Sequence, residues 1–315
     1  MRNIVLVGVG GIGFRHFQAL LNCSHPINLY VIDLSNDALQ RCRDEFASKH
    51  KIMNVFFSDN YDFLPEIIDV LVIATASKPR CSVFENIVSK SDVKNVIFEK
   101  ILFPKLDEYE IVDKILSDKH INAYVNCPGR LFPGYKELKS KIDITKGCDV
   151  FIAGSNWGLS CNAIHFIDQV GFLFDTYDCL KISPVLLDGD IIESRRNGYI
   201  EFTGRIICSV GNNINIIMDS YGNGDIPLRI TLINGSRVYN ISEAEGWIVT
   251  SEGDYSSKEQ FEIMYQSQLT DKVVDRLLKE RKCDLTRYAD TKQWHIELLS
   301  AFMKKTGITD LCPIT

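Results

Sequence analysis

Residues 3–7 (NIVLV) and the six that follow, Gly8-Val9-Gly10-Gly11-Ile12-Gly13, constrain the fold of this chain more than any other stretch. An unbroken aliphatic run is what a parallel strand buried on both faces needs. The glycines then impose a turn where backbone, not side chain, meets its neighbours. Gly8 permits the tight turn, Gly10 leaves room for a phosphate to approach, and Gly13 lets the next helix pack close to the strand. Between a buried strand and a helix start, G-x-G-x-x-G marks a dinucleotide pyrophosphate seated on a helix N-terminus. Asp33 ends the next strand, where a carboxylate accepts hydrogen bonds from the adenosine ribose and repels a 2′-phosphate. NAD is therefore the expected cofactor, with NADP as the alternative. The plainer role for Asp33, a helix N-cap, competes with Ser35 and Asn36, which lie nearer the helix.

Strand and helix alternate beyond the turn. Residues 14–22 read as a helix, 28–33 (NLYVID) as a buried strand and 36–49 as an amphipathic helix. Residues 70–75 (VLVIAT) and 95–99 (NVIFE) are buried strands around a helix at 79–90, followed by a helix at 106–117 and a strand at 121–126. This spacing gives βαβ units and an α/β fold, a doubly wound parallel Rossmann sheet over residues 1–123. Residues 124–315 read as a second, α+β domain. Helices at 135–141 and 160–174 flank a strand at 148–153, and strand-like runs follow at 198–203, 205–210, 213–219, 227–233, 236–242 and 247–251. Asn234-Gly235 makes a two-residue hairpin between two of them, so the sheet is mainly antiparallel and open. Helices at 258–280 and 289–305 complete the reading. Poor alternation in 213–219 (NINIIMD) and 227–233 (PLRITLI) predicts apolar residues on both sheet faces, and hence a homodimer or homotetramer formed through the sheet.

The chain's 315 residues exceed what one core usually serves. A formal charge of -6 argues against nucleic acid or an anionic membrane as partner. No apolar run reaches the ~18 residues of a membrane span, and the apolar opening runs into glycines without a small-residue cleavage site. Ten cysteines, none paired as CxxC, fit reduced thiols in a cytoplasmic protein and no metal site. On that reading the Asn-x-Ser triplets at Asn22, Asn234 and Asn240 carry no glycan. The absence of HExxH, GxSxG and P-loop motifs leaves metalloprotease, α/β-hydrolase and phosphoryl-transfer readings without support.

Four short segments add to the glycine turn. Ile73-Ala74-Thr75 ends one strand and Glu99-Lys100 another; Arg130-Leu131-Phe132-Pro133 opens the second domain, and His165-Phe166-Ile167-Asp168 lies on the 160–174 helix. In this order and spacing they resemble the glucose–fructose oxidoreductase, inositol dehydrogenase and MocA-like family over most of the chain. The chain departs from the family pattern at Ile101 (Pro after the signature Lys), Arg80 (a frequent His) and Cys161 (Asp, four residues before His165). The resemblance implies an NAD(P)-dependent oxidoreductase that moves a hydride between nicotinamide and the hydroxyl or keto carbon of a sugar, sugar derivative or nucleotide sugar. It implies cofactor contacts at Gly8, Gly10, Gly11, Ile12, Gly13, Asp33, Thr75, Glu99 and Lys100. It also implies catalysis by Lys100 and His165, with substrate contacts from Arg130, Asn162 and Asp168.

The residue chemistry stands beside that likeness. Lys100 follows a buried strand at the carboxyl end of the sheet, where open α/β folds bind ligands. An ammonium there can hold a substrate hydroxyl and stabilise the developing alkoxide. Spacings of four and three place Cys161, His165 and Asp168 on one helical face, and a neutral imidazole among them can accept a hydroxyl proton. Asp168 then orients that ring, binds substrate or stabilises the helix. His16, His25, His50 and His120 are expected on solvated surface, His295 in packing, and Arg195-Arg196 in a solvated loop. Two other functions fit the same residues. One is a non-redox enzyme that uses NAD transiently; the other is an NAD- or sugar-binding regulator without turnover.

Overall fold

The computed structural model describes residues 1–49, 51, 53–189, 191–194 and 196–315. His50 and Arg195 lie outside the described residues. Two compact units emerge: Met1–Pro128 with Met264–Ala289, and Gly129–Ile263 with Asp290–Thr315. The expected boundary at 123/124 falls near the first break, but the chain later returns to complete the first unit.

The first unit runs β1 (Arg2–Val7), α1 (Gly11–Leu20), β2 (Ile27–Ile32), α2 (Asn36–Lys49), β3 (Asn54–Ser58), β4 (Ile67–Ile68), β5 (Val70–Ile73), α3 (Ser77–Lys90), β6 (Asp92–Val93), β7 (Asn95–Glu99), α4 (Asp107–Asp118) and β8 (Asn122–Asn126). The second runs α5 (Pro133–Lys141), β9 (Cys148–Ser155), α6 (Leu159–Phe174), β10 (Leu180–Leu187), β11 (Ile192–Glu193), β12 (Ile200–Glu201), β13 (Gly204–Val210), β14 (Ile214–Tyr221), β15 (Arg229–Asn234), β16 (Arg237–Ser242), β17 (Trp247–Glu252) and β18 (Tyr255–Gln260). Then α7 (Thr270–Glu280) and β19 (Thr286–Arg287) rejoin the first unit, and α8 (Tyr288–Thr306) leads the chain back to the second.

Among the described residues the first sheet has the order β19-β8-β7-β5-β1-β2-β3. Its pairs are parallel from β8 to β3, and β19 closes the edge antiparallel to β8. Ile4, Val5, Leu6, Leu71, Val72, Ile97 and Phe98 are all buried, as a doubly covered parallel sheet requires. The order reverses direction at β1, so the glycine turn after β1 and the ends of β5 and β7 lie together at the carboxyl end of the sheet.

The second sheet is ordered β10-β13-β14-β9-β15-β16-β17-β18 and is antiparallel except where β9 runs parallel to β14. The Asn234-Gly235 hairpin is present, with Gly235 at φ +64°. Burial alternates along these strands more strictly than the sequence implied. Val150, Ile152, Ile216, Met218, Ile230 and Leu232 face the core, and α6 packs against β14. On the other face Ile207, Ile217, Phe151 and Thr231 lie in register across four strands, all partly exposed.

Several element readings need correction. β3 and β10 went unread, because NVFFS and LKISPVLL lack a clean period. Residues 258–260, read as helix, belong to β18, and the helix starts only at Thr270. That strand is polar and exposed because it forms the outer edge of the sheet, so its charges hid it. Of the run 198–203, only Ile200–Glu201 pairs as strand.

Candidate functional site

The glycine turn is held from both sides. The Val9 N–H donates to Asp33 Oδ2 at 2.6 Å, and Arg41 Nη2 donates to the Val9 carbonyl at 2.6 Å. Asp33 Oδ1 accepts from the Ser35 N–H at 2.8 Å, while Ser35 Oγ accepts from the Ala38 N–H and so caps α2. Asp33 is thus a loop-holding carboxylate and not the cap. Gly8 sits at φ +84°, and a Cβ there would come within 2.8 Å of the Thr75 nitrogen. A Cβ on Gly13 would stand 1.8 Å from the Gly8 carbonyl oxygen. Around Gly10 and Gly11 no atom lies within 4 Å of such a position, which leaves open space at the N-terminus of α1.

Thr75 adds a second sign of a ligand. Its Oγ1 is buried with no hydrogen-bond partner, a condition that costs roughly 1–3 kcal/mol. Open backbone, a helix N-terminus, an acidic group at Asp33 and an unfilled hydroxyl together suit a dinucleotide. Gly10, Gly11 and Ile12 would meet its pyrophosphate, and Asp33 its ribose. Arg80, which sequence reasoning noted only as a departure, is buried and ties two strand ends together. Its Nη2 donates to the Thr75 carbonyl at 2.6 Å, and its Nη1 to the Leu102 carbonyl at 2.7 Å and to the Ile101 carbonyl. The segment after β7 that carries Lys100 is thereby fixed to the segment after β5.

Glu99 and Lys100 end β7 with different surroundings. Lys100 is half-buried, and its peptide bond to Ile101 is cis. Glu99 is buried, and its Oε1 accepts from His16 Nε2 at 2.8 Å and Asn126 Nδ2 at 2.5 Å. Burial alone would raise this carboxyl; hydrogen bonds from His16 and Asn126, with positive charge at His16 and Lys100, override it and hold the group down at about 2. The network continues through His16 Nδ1 to Thr270 Oγ1 at 2.7 Å, and Gln266 bonds both Asn126 and Thr270 at 2.9 Å. His16 is only 1% exposed, so the expected solvated position is wrong: a charged partner across the sheet end makes its burial tolerable. His25 is half-buried and pairs with Asp275 at 2.8 Å, while His120 is exposed and His295 buried.

In the second unit α6 carries the remaining candidates. Its N-cap is Gly158 at φ +80°, and the Ser160 N–H of the first turn donates to Glu201 Oε1 at 2.5 Å. Asp168, 1% exposed, accepts from Arg130 Nε at 3.2 Å, and Arg130 Nη2 also donates to Tyr177 Oη at 2.6 Å. Burial pulls the Arg130 guanidinium down, but the Asp168 and Tyr177 partners hold it above its usual range. His165 is half-buried on the same helix. Cys161 and Asn162 line a cavity of about 580 Å³ together with Trp157, Glu201, Thr203 and Ser220. Asn162 Nδ2 donates to the Trp157 carbonyl at 2.6 Å. The cavity wall includes neither His165 nor the Arg130–Asp168 pair.

Among the described residues no helix is long and apolar enough to cross a membrane, and no group of three or more His, Cys, Asp or Glu is placed to hold a metal ion. No protein-family model matches the chain, and no curated protein matches it by sequence. Solved structures do match it in fold. A super-repressor mutant of Gal80p from Saccharomyces cerevisiae gives a TM-score of 0.76 over 99% of this chain and 98% of that one, at 14% identity. An oxidoreductase from Agrobacterium radiobacter, solved with NAD+, L-tartaric acid and magnesium, gives 0.72 over 99% and 98%, at 13% identity. The UDP-N-acetylglucosamine 3-dehydrogenase GnnA from Acidithiobacillus ferrooxidans gives 0.70 over 96% of each chain, at 12% identity. The chain shares their fold over almost its whole length.

Proposed function

We propose that the protein is an NAD(P)-dependent oxidoreductase acting on a hydroxyl or keto carbon of a sugar, sugar derivative or nucleotide sugar. The observation that carries this reading is the turn after β1, with open backbone at Gly10 and Gly11 beside the unpartnered Thr75 Oγ1. A nicotinamide dinucleotide bound there supplies the oxidising or reducing equivalent. Lys100 hydrogen-bonds the substrate hydroxyl and stabilises its alkoxide, while the His165 imidazole accepts or returns the hydroxyl proton. Asn162 presents its side-chain oxygen to substrate in the cavity. Arg130 and Asp168 are already paired and buried, so they act by holding α6 in place. Glu99 supports the strand end from which Lys100 projects. The protein works as a dimer or tetramer through the open sheet face.

The test begins with calorimetric titration of NAD and NADP. NAD binds more tightly, and Asp33→Asn narrows the difference, because the amide oxygen can still accept from Val9 while the repulsion of a 2′-phosphate is lost. Equal affinity of the unmodified protein for both would reduce Asp33 to its loop-holding role. Failure to bind either would remove the oxidoreductase reading. A second reading, a dinucleotide- or sugar-binding regulator without turnover, is favoured by the likeness to the Gal80p repressor. Tight NAD binding with no turnover over a broad sugar panel selects it.

A further inference from the structure

Gly158 marks a point of convergence in the second unit. A Cβ placed on it would lie 2.8 Å from Cys161 Sγ, 3.0 Å from Asn162 Nδ2 and 3.3 Å from Glu201 Oε2. Two of these atoms come from α6 and the third from β12, so the fold gathers a thiol, an amide and a carboxylate around one small space. Only a residue without a side chain leaves that space open, and the φ of +80° suits glycine as well.

The carboxylate there is fixed in a particular way. Glu201 Oε1 accepts from the Ser160 N–H at 2.5 Å and from the Phe202 N–H at 2.9 Å. Both bonds are charge-assisted, and the N-terminus of α6 favours the negative charge. Oε2 is left facing the cluster. In the lining of the same cavity Ser220, 1% exposed, has an Oγ with no hydrogen-bond partner. A buried hydroxyl with unused capacity, in the same cavity as a rigid acceptor, calls for a ligand with several hydroxyl groups. The half-buried ring of Trp157 adds an apolar wall of the kind that packs against a sugar ring. Arg196, the guanidinium in the lining, is exposed, and its Nη1 donates to Thr315 Oγ1 at 3.0 Å.

We propose that Glu201 is the specificity-determining residue of this cavity, its Oε2 accepting a hydroxyl of an uncharged polyol ring and excluding rings with a carboxylate or phosphate at that position. The proposal rests on the reading of the second unit as the substrate unit. It places a carboxylate beside Cys161, where the helix itself offers only a thiol.

The experiment is a binding panel on the full chain: neutral hexoses and cyclitols, the matching uronic acids and the matching monophosphates. At least one neutral ring binds the unmodified protein, and its acid and phosphate counterparts bind at least tenfold more weakly. Glu201→Gln keeps an oxygen for the Ser160 and Phe202 N–H groups; it weakens the neutral ring at least tenfold and shrinks the discrimination against the acid. Ser220→Ala removes a hydroxyl that bonds nothing in the protein, so its Tm is unchanged or higher while neutral-ring affinity falls. Unchanged affinity in Glu201→Gln overturns the proposal, as does preference for the acid or phosphate, or a panel with no binder. NAD titration of the same samples separates the two readings. Loss of dinucleotide binding speaks against the oxidoreductase, and the ring panel speaks on Glu201 alone.

Discussion

At the scale of single residues, Lys100, His165 and Cys161 carry separable expectations. Lys100→Ala is expected to leave less than about a tenth of kcat, a loss of at least ~1.4 kcal/mol, with NAD affinity within a few-fold. Steady-state kinetics beside a dinucleotide titration check it; retention of more than a tenth would remove Lys100 from the chemistry. Cys161→Ala and Cys161→Ser are expected to keep kcat/KM within about tenfold, because Asn162 and Glu201 remain around the same point. His165→Ala should lose far more, and equal losses at both positions would put the thiol in contact with substrate. The glycine turn was legible because a steric demand leaves a mark on residue type. Asp33 was legible as a position, but its bond to Val9 was not. Glu201 was invisible: it reaches Gly158 through β12 and has no spacing relation to α6. His16 was misplaced for the same reason, since its partners Glu99 and Thr270 stand 83 and 254 residues away.

Elements bring the titration of Glu99 into play. This carboxyl is held at about 2, below its ordinary 4.5, on a strand end braced by α1, β8 and α7. A depressed carboxyl stabilises the fold above its unfolded value, and that contribution fades as pH falls towards the folded value. Stability should therefore drop between about pH 5 and pH 2, with roughly 2–3 kcal/mol attributable to Glu99. Glu99→Gln should flatten that acid slope in denaturant titrations run across the range. An unchanged slope would assign the acid sensitivity to other carboxyls. At this scale the parallel strands were readable, since burial on both faces leaves one unbroken apolar run. Edge strands were not. β3 and β18 lie at sheet margins, where one flank meets solvent and the sequence needs neither apolar continuity nor alternation.

For the whole molecule, the open face of the second sheet sets the expectation. Ile207, Ile217 and Phe151 lie side by side on it, with Ile233 and Tyr221 nearby, 37% and 41% exposed. Burying such a row between two copies is worth about 25 cal/mol per Å² of apolar surface. Sedimentation should show a dimer or tetramer, and Ile217→Lys should shift it towards monomer without unfolding either unit. A monomer at micromolar concentration would refute the interface. The return of Met264–Ala289 to the first unit has a consequence of another kind, in the order of synthesis. The ribosome delivers Met1–Pro128 first and Thr270 only after the whole of Gly129–Ile263. At about 5–20 residues per second, that is a wait of roughly 7–30 s. Throughout it His16 lacks Thr270, Asn126 lacks Gln266 and β8 is an open edge without β19. The first unit of the nascent chain thus emerges before the second but is among the last parts to close, its edge strand unpaired in the meantime.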